Sequence, residues 1–534
     1  MNKKINLLLM FLIIGFLLLA CSLPDLSRPD QDDVATRVAA DIFATQTAEA
    51  PTVTPIPIST STPTSTPTST PTSTPAPTLG PVTVRVESDG SGDYPTLEAA
   101  ADAVLAGSTI MLGPGTHSLA APLDIDKSLN LIGAGMNQTF VVGRQGDYVV
   151  HFTGPGLLAV EGIGFHYEGT DLANVMVVDD GEVDFYRCRF TGGVWNGEEK
   201  RGGDGLLFRG NTVGRVQECE TSENGLHGIE IQDQTQLTLE RNACIDNVQS
   251  GIVYFDDAAG VARQNECTGN GLHGISVNEQ AQPTLEENIC KENGEIGIRY
   301  SGDTAGVARR NECTNNGLHG ITVRDQAQPT LEDNLCADNE ESGIVYFESA
   351  SGVARQNECT GNGLHGIGVE EQAWPTLEGN VCTGNVQNGI VYFGEASGVA
   401  RQNECTGNEL HGIGVNEQAQ PTLEDNVCTD NQQVGIRFSG SATGVARLNE
   451  CSRNKLSGII VREQAQPILE NNVCNDNEEG GIIYFSEAGG VARQNECARN
   501  KWGIYVEETA DPELVGNNCY DNTQADVDDR RLTS

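Results

Sequence analysis

Two consecutive segments decide the fold: Asn265-Glu266-Cys267-Thr268-Gly269-Asn270-Gly271-Leu272-His273-Gly274-Ile275-Ser276-Val277 and Asn288-Ile289-Cys290-Lys291-Glu292-Asn293-Gly294-Glu295-Ile296-Gly297-Ile298-Arg299-Tyr300. Both read N-x-C-x-x-N-x-x-x-G-I-x-[V/Y], and they lie 23 residues apart. The cysteine recurs at that spacing from Cys244 to Cys497. A second marker, Gly-Val-Ala-Arg, begins at Gly260, Gly306, Gly352, Gly398, Gly444 and Gly490, a spacing of 46. The unit is therefore 23 residues long, and odd and even units differ in detail. Within a unit, short β-type alternations are separated by Asn and Gly, which leaves no room for a helix of three turns and excludes helical repeats. Three short strands per turn, stacked on neighbouring turns at ~4.8 Å, bury one face and pair the backbone between turns. The sequence predicts an all-β parallel β-helix.

Any residue fixed in this frame stacks on its own kind. The series Asn247, Asn270, Asn293, Asn316, Asn339, Asn362 and onward to Asn500 predicts amide ladders that bond one another and the turn backbone. The chain has 16 cysteines, a number that in an exported protein suggests disulfides. Thiols one rung apart, however, have Cβ atoms ~4.8 Å apart, beyond the ~3.5–4.5 Å that a disulfide needs. They are expected to be free and to face the core. His227, His273, His319, His365 and His411 occupy one position on alternate coils only. At ~9.6 Å apart they cannot share a zinc ion and are assigned to turns. A further position alternates between Glu240, Arg263, Glu286, Arg309, Glu332, Arg355 and so on to Arg493. This alternation is expected to seat each guanidinium between two carboxylates.

The N-x-C-x-x-N-x-x-x-G-I units resemble the parallel β-helix repeats of the pectin-lyase-like superfamily, which includes polysaccharide lyases, alginate epimerases and NosD-type periplasmic proteins. The segments Asp89-Gly90-Ser91-Gly92-Asp93-Tyr94-Pro95-Thr96-Leu97-Glu98-Ala99-Ala100, Gly113-Pro114-Gly115-Thr116-His117 and Leu129-Asn130-Leu131-Ile132-Gly133 are similar to the start of pectinesterase-like and pectate-lyase-like domains. The resemblance covers residues 82–522. It implies a right-handed solenoid with a short N-terminal capping helix, whose apolar face would be Leu97, Ala100, Ala101 and Val104.

Outside the repeats, Lys3 and Lys4 precede an apolar run at 7–20 that ends at Cys21. This is the pattern of a secretory signal, and Leu18-Leu19-Ala20-Cys21 resembles a bacterial lipobox, with Cys21 the lipidated residue. The run is shorter than the ~20 residues of a spanning helix. Residues 51–81 are mostly Pro, Thr and Ser, a composition that cannot bury a core and forms an extended spacer. The expected organisation is signal 1–20, linker 21–81, cap and irregular coils 82–213, regular coils 214–522 and a polar tail 523–534. An exported protein anchored to the cell envelope follows, touching membrane through its lipid alone. The net charge of −43, from 75 acidic and 32 basic residues, argues against nucleic acid or an anionic membrane face as partner. It also disfavours polyuronates unless Ca²⁺ is recruited, and no specific calcium motif is present.

The uniform coils offer no unique acid, base or nucleophile. Between Cys188 and Cys219 the spacing grows to 31, with an inserted loop around Gly193-Val194-Trp195-Asn196-Gly197, and such loops on rigid scaffolds commonly carry function. Gly181-Glu182-Val183-Asp184-Phe185 is similar to the segment around a pectinesterase catalytic aspartate. The following Tyr186-Arg187-Cys188 departs from that pattern, so Asp184 is assigned to the surface. In Gly251-Ile252-Val253-Tyr254-Phe255, alternation sends Ile252 and Tyr254 inward and leaves Val253 and Phe255 exposed. Phe347, Phe393 and Phe485 repeat the latter position, with Ser301 and Ser439 interrupting. Phe255, Phe347, Phe393, Phe485 and Trp195 are the candidate binding residues. The expectation is a non-catalytic lipoprotein that binds carbohydrate or another extended polymer, a polysaccharide or cell-surface glycan. Its alternatives are a carbohydrate-active lyase or epimerase using residues 151–210, and a structural spacer or adhesin.

Overall fold

The computed structural model describes residues 80–198 and 201–531, and the proposed signal, Cys21 and the linker up to residue 79 lie outside them. Each coil contributes strands to three parallel sheets. Sheet A has 19 strands, from Thr83–Val86 to Glu513–Val515. Sheet B begins at Gly115–Ser118 and runs to Glu404–Thr406, thins to single bridges at Val427, Glu450 and Val473, and resumes at Glu496–Ala498. Sheet C runs from Leu123–Ile125 to Ala525–Asp529. The last of these strands corrects the expected tail, because residues 525–529 pair with Trp502–Val506 as one more rung.

Register is strict: Cys244 faces Cys267, which faces Cys290. The 46-residue period has a packing cause. Tyr254 of sheet C is followed by the small Ala262 of sheet A, whereas Val277 is followed by Leu285, and all four are fully buried. Large and small residues thus alternate along the core at constant cross-section, as close packing demands. Gly-Val-Ala-Arg needs its glycine because Gly398 has φ +104° and a Cβ there would meet Pro375 O at 2.3 Å.

The cysteines from Cys188 to Cys497 are free and buried. Desolvation raises thiols such as Cys313 and Cys405 well above the ordinary range. The asparagine ladders form as expected. Asn293 Nδ2 donates to Asn316 Oδ1 at 3.0 Å and to Cys267 O at 3.1 Å, and Asn293 Oδ1 accepts the amide N–H of Asn270 at 3.2 Å. Each such bond contributes only ~1 kcal/mol net, but leaving its partners unmatched in the interior costs more. At the N-terminus, the Thr96 side chain accepts the Ala99 N–H and starts the helix Leu97–Ala103, with Leu97, Ala100 and Ala101 buried, as is Val104.

Three expectations change. Each ladder arginine reaches the glutamate of the preceding rung rather than two carboxylates: Arg355–Glu332 and Arg447–Glu424 are both 3.0 Å. The histidines assigned to turns are all buried, and two of them, His273 and His411, open strands of sheet C while the other three stand just before one. Val253 points outward as alternation requires, yet it is only 2% exposed, because the outer side of sheet C is a groove walled by the residues on either side of it.

Candidate functional site

In the irregular coils that groove deepens into a cleft. Three strands of sheet C, Tyr148–Phe152, Asn174–Asp179 and Leu206–Arg209, form its floor. The inserted loop forms one wall, held by reciprocal bonds between Ala173 and Val194 of 3.1 and 2.8 Å. A cavity of about 270 Å³ lies here, and Tyr148, His151, Asp204, Arg209 and Glu230 line it.

One side carries a hydrogen-bonded chain. His151 Nε2 lies 2.8 Å from Asp179 Oδ2, and Arg209 grips the same carboxylate through Nε at 2.7 Å and Nη2 at 2.9 Å. Burial of Asp179 is outweighed by the bonds from Arg209 and His151, so its carboxyl sits below the ordinary range. His151 Nδ1 faces Asp124 at 3.5 Å, and Tyr148 Oη donates to Asp124 Oδ1 at 2.7 Å. Burial, then Asp124, pushes the Tyr148 phenol up to about 12. The imidazole is thus held between two carboxylates with its ring 4.9 Å from that of Tyr148.

The other side carries a buried acid pair. Asp204 and Glu230 come from neighbouring coils and, with His227, place their polar atoms within 4.8 Å of one another. All three side chains are buried. Burial raises Asp204 well above the carboxylate range, Glu230 adding to it, and pushes Glu230 up to about 7. Two facing carboxyls in a dry site do not both ionise, so the pair holds a proton near neutral pH.

Three ligand-type residues this close raise the question of a metal. His227 Nδ1 accepts the Ser250 N–H at 3.3 Å. The neutral ring, which burial enforces by pulling the imidazole down to about 3, therefore carries its proton on Nε2. That is the nitrogen 3.8 Å from Glu230, so it offers the site a hydrogen rather than a lone pair. Two carboxyls also fall well short of the six to eight oxygens of a calcium site. The donor set fits a proton better than an ion.

The structure brings two of the sequence candidates to this place. Trp195 and Phe255 line an adjoining cavity of about 580 Å³ that shares Leu226, Glu230 and Gln232 with the first. Phe347, Phe393 and Phe485 lie further along the groove and are half-buried, not exposed. Phe347 packs 6.1 Å from His319, Phe393 6.2 Å from His365, and Phe485 6.0 Å from Tyr505. Asp184 faces away on sheet A, ion-paired to Arg215 at 2.7 Å. Tyr148, Asp204 and Glu230 were missed. For Glu230 a signal existed: in Gly228-Ile229-Glu230-Ile231 a carboxylate occupies the slot that holds Val253 and Ser276 on the next two coils.

The family model described as right handed beta helix region matches residues 165–277, 245–371, 292–420, 345–452 and 411–527. Together these cover more than half of the chain, which belongs to that family. No curated protein matches the sequence. Among solved structures, the chain is similar to the A-module of mannuronan C-5 epimerase AlgE4 of Azotobacter vinelandii at 17% identity, covering 62% of this chain and 90% of that one, with a TM-score of 0.35. It is similar to the periplasmic alginate epimerase AlgG at 12% identity, over 77% and 76% of the two chains, with a TM-score of 0.34. Pectin methylesterase from carrot matches at 14% identity, over 57% and 84%, with a TM-score of 0.24.

Proposed function

We propose that the protein acts on an extended polysaccharide by acid–base chemistry in this cleft, in the manner of a lyase or an epimerase. One observation carries the reading: a single cavity places the Tyr148–His151 edge, polarised by Asp124 and Asp179, opposite a buried carboxyl pair that holds a proton near pH 7. Titratable groups whose surroundings push them apart mark acid and base roles. Glu230 is assigned to proton transfer near neutrality, with His151 and Tyr148 acting on the opposite side of a sugar ring. Asp179 and Arg209 position His151. The groove running on from the cleft, with Trp195 and Phe255 beside it, suits a chain longer than the cavity.

Incubation with a panel of polysaccharides, read by ultraviolet absorbance for unsaturated ends and by NMR for altered ring configuration, tests this. His151→Ala and Glu230→Gln are each expected to lower turnover by roughly 10²–10⁴-fold. Full turnover in both variants, or no product from any glycan that the protein binds, overturns the catalytic reading. Retention without product leaves the non-catalytic binder expected from the sequence. Export and lipid anchoring at Cys21 belong to the same proposal. Fatty-acid labelling of the wild type and its loss in Cys21→Ala are the expected results, and persistent labelling of the variant contradicts the site.

A further inference from the structure

Two arginines on the outer face of sheet C, Arg299 and Arg437, stand apart. Among the described residues, every other arginine has a carboxylate within 4.0 Å, as Arg324 has Glu348 at 3.0 Å and Arg462 has Glu463 at 3.3 Å. Arg437 has neutral partners instead. Its Nη1 lies 3.1 Å from His411 Nε2, and its Nη2 donates to Ser439 Oγ at 2.9 Å. Its Nε and the Nδ1 of His411 are buried without any hydrogen-bond partner. A guanidinium only donates, so His411 accepts through Nε2 and stays neutral; burial, then Arg437 and Arg462, hold it down to about 3. Arg462 on the next rung opposes the Arg437 charge, which Glu463 only partly relieves. Arg299 repeats the arrangement, donating to Asn278 Oδ1 and Ser301 Oγ, each at 3.0 Å, with Arg324 beside it. Here Glu295, Asp325 and Glu348 supply more counter-charge, so Arg437 is the less compensated of the two.

The arginines are not required by the fold. Other coils of the same type carry Val253, Val345, Val391 and Ile483 at this position. In a chain with 75 acidic residues, half-buried cations held only by neutral groups are sites for an anion from outside. Their placement gives a ruler. Arg437 lies six rungs beyond Arg299. Arg299 lies six rungs beyond His151 of the cleft, in the same outward slot. At the ~4.8 Å strand spacing, six rungs span about 29 Å.

We propose that Arg299 and Arg437, about 29 Å apart, each seat an acidic group of an extended glycan whose charges are sparse and separated by several neutral sugars, with the sugar being processed at His151. The inference rests on the polysaccharide reading above and names the polymer's charge pattern. Between the arginines the outward slot holds Thr322, Val345, Gly368, Val391 and Gly414, flanked by the half-buried Glu370. A polymer with a carboxylate on every sugar would press unpaired charge against this neutral stretch and against a strongly acidic protein. A mostly neutral chain with widely spaced acidic groups meets cations only where they stand.

Calorimetric titration with gellan, which carries one carboxylate per repeat, with polygalacturonate, charged on every sugar, and with neutral dextran tests the pattern. Arg299→Val and Arg437→Val are used because sister coils already hold valine there. The expected result is salt-sensitive preference for gellan, a loss of about tenfold in Arg437→Val, a loss of about threefold in Arg299→Val and a combined loss of about thirtyfold, with Arg437→Lys largely retaining binding. Unchanged affinity in the double variant, equal or tighter binding of polygalacturonate or dextran, or inorganic sulfate binding as tightly as the polymer, overturns the proposal. Asp184→Asn, on sheet A away from the groove, is expected to bind gellan like the wild type. Arginine-dependent binding in a protein that converts no glycan supports this inference while removing the catalytic one.

Discussion

The coils before residue 231 and those after it share one architecture but spend their side chains differently. In the uniform stretch the core and ladder side chains stand on their own kind or on their 46-residue alternate, so a residue there survives only if it tolerates that neighbour. Asparagine bonds asparagine, cysteine packs on cysteine, and arginine meets glutamate. Such a surface repeats and offers no unique constellation. In the early coils the spacing lengthens, a loop is inserted, and residues of different chemistry meet: histidine between two aspartates, and two carboxyls in one dry corner. Chemistry on this solenoid requires breaking the frame, and Arg299 and Arg437 are the places where the uniform part does so.

The largest expected effect separates the two regions by acid. The buried histidines His319 and His365 are both held down to about 4 by burial. Their folded values lie below the unfolded value near 6.5, so the unfolded chain binds more protons between those limits. Stability present above pH 6.5 is therefore lost as pH falls toward 4. Replacing both by serine, the residue at Ser342, is expected to favour the variant by about 5 kcal/mol more at pH 4 than at pH 8, where the lost bonds from the Ser342 and Asn388 N–H groups count against it. Chemical denaturation at the two pH values checks it; an equal change at both would mean that the rings act through packing alone.

Breaking a ladder comes next. Asn293→Ala removes bonds to Asn316 and Cys267 and strands the Asn270 N–H, a loss of about 3 kcal/mol. The solvent-facing Asp184→Ala in the irregular part is expected to cost less than about 1 kcal/mol. Equal losses would erase the contrast between the regions.

The cleft should show the opposite sign. Glu230 titrates near 7 in the folded protein, above an unfolded value near 4.3. The folded state thus binds the extra proton between these values, and stability falls as pH rises through them. Glu230→Gln is expected to be about 3 kcal/mol more stable than the wild type above pH 7.5 and equal to it near pH 4. Thermal melts across that range measure the difference. A variant less stable at high pH would show that the carboxylate supports the fold.

The smallest effect lies in the core. The Tyr346 hydroxyl is fully buried and has no partner, so Tyr346→Phe is expected to gain about 1 kcal/mol in urea unfolding. A loss would mean that the hydroxyl finds a partner.

The repeating half was legible because a fixed period turns one residue's environment into that of all its copies. The core cysteines and the asparagine ladders followed from spacing, and the capping helix from the resemblance of residues 89–100 to the start of pectinesterase-like domains. The irregular coils at 151–210 were legible as a place for chemistry but their constellation was not, since Tyr148, His151 and Asp204 come together across coils of unequal length, where no fixed interval assigns the stacking partner. Alternation gave the direction of Val253 correctly and missed its burial, because the walls of the groove belong to neighbouring positions and not to the strand itself.

The pairing of each ladder arginine with the glutamate one rung before it also constrains how the gene can change length. Duplicating or losing 46 residues leaves every arginine over a glutamate and every tyrosine beside an alanine. Losing 23 would set glutamate on glutamate at one seam and disturb the alternation of large and small core residues there. Copy number in this solenoid is therefore expected to be inherited in pairs of coils, and the six-rung interval between Arg299 and Arg437 is one that recombination can reproduce.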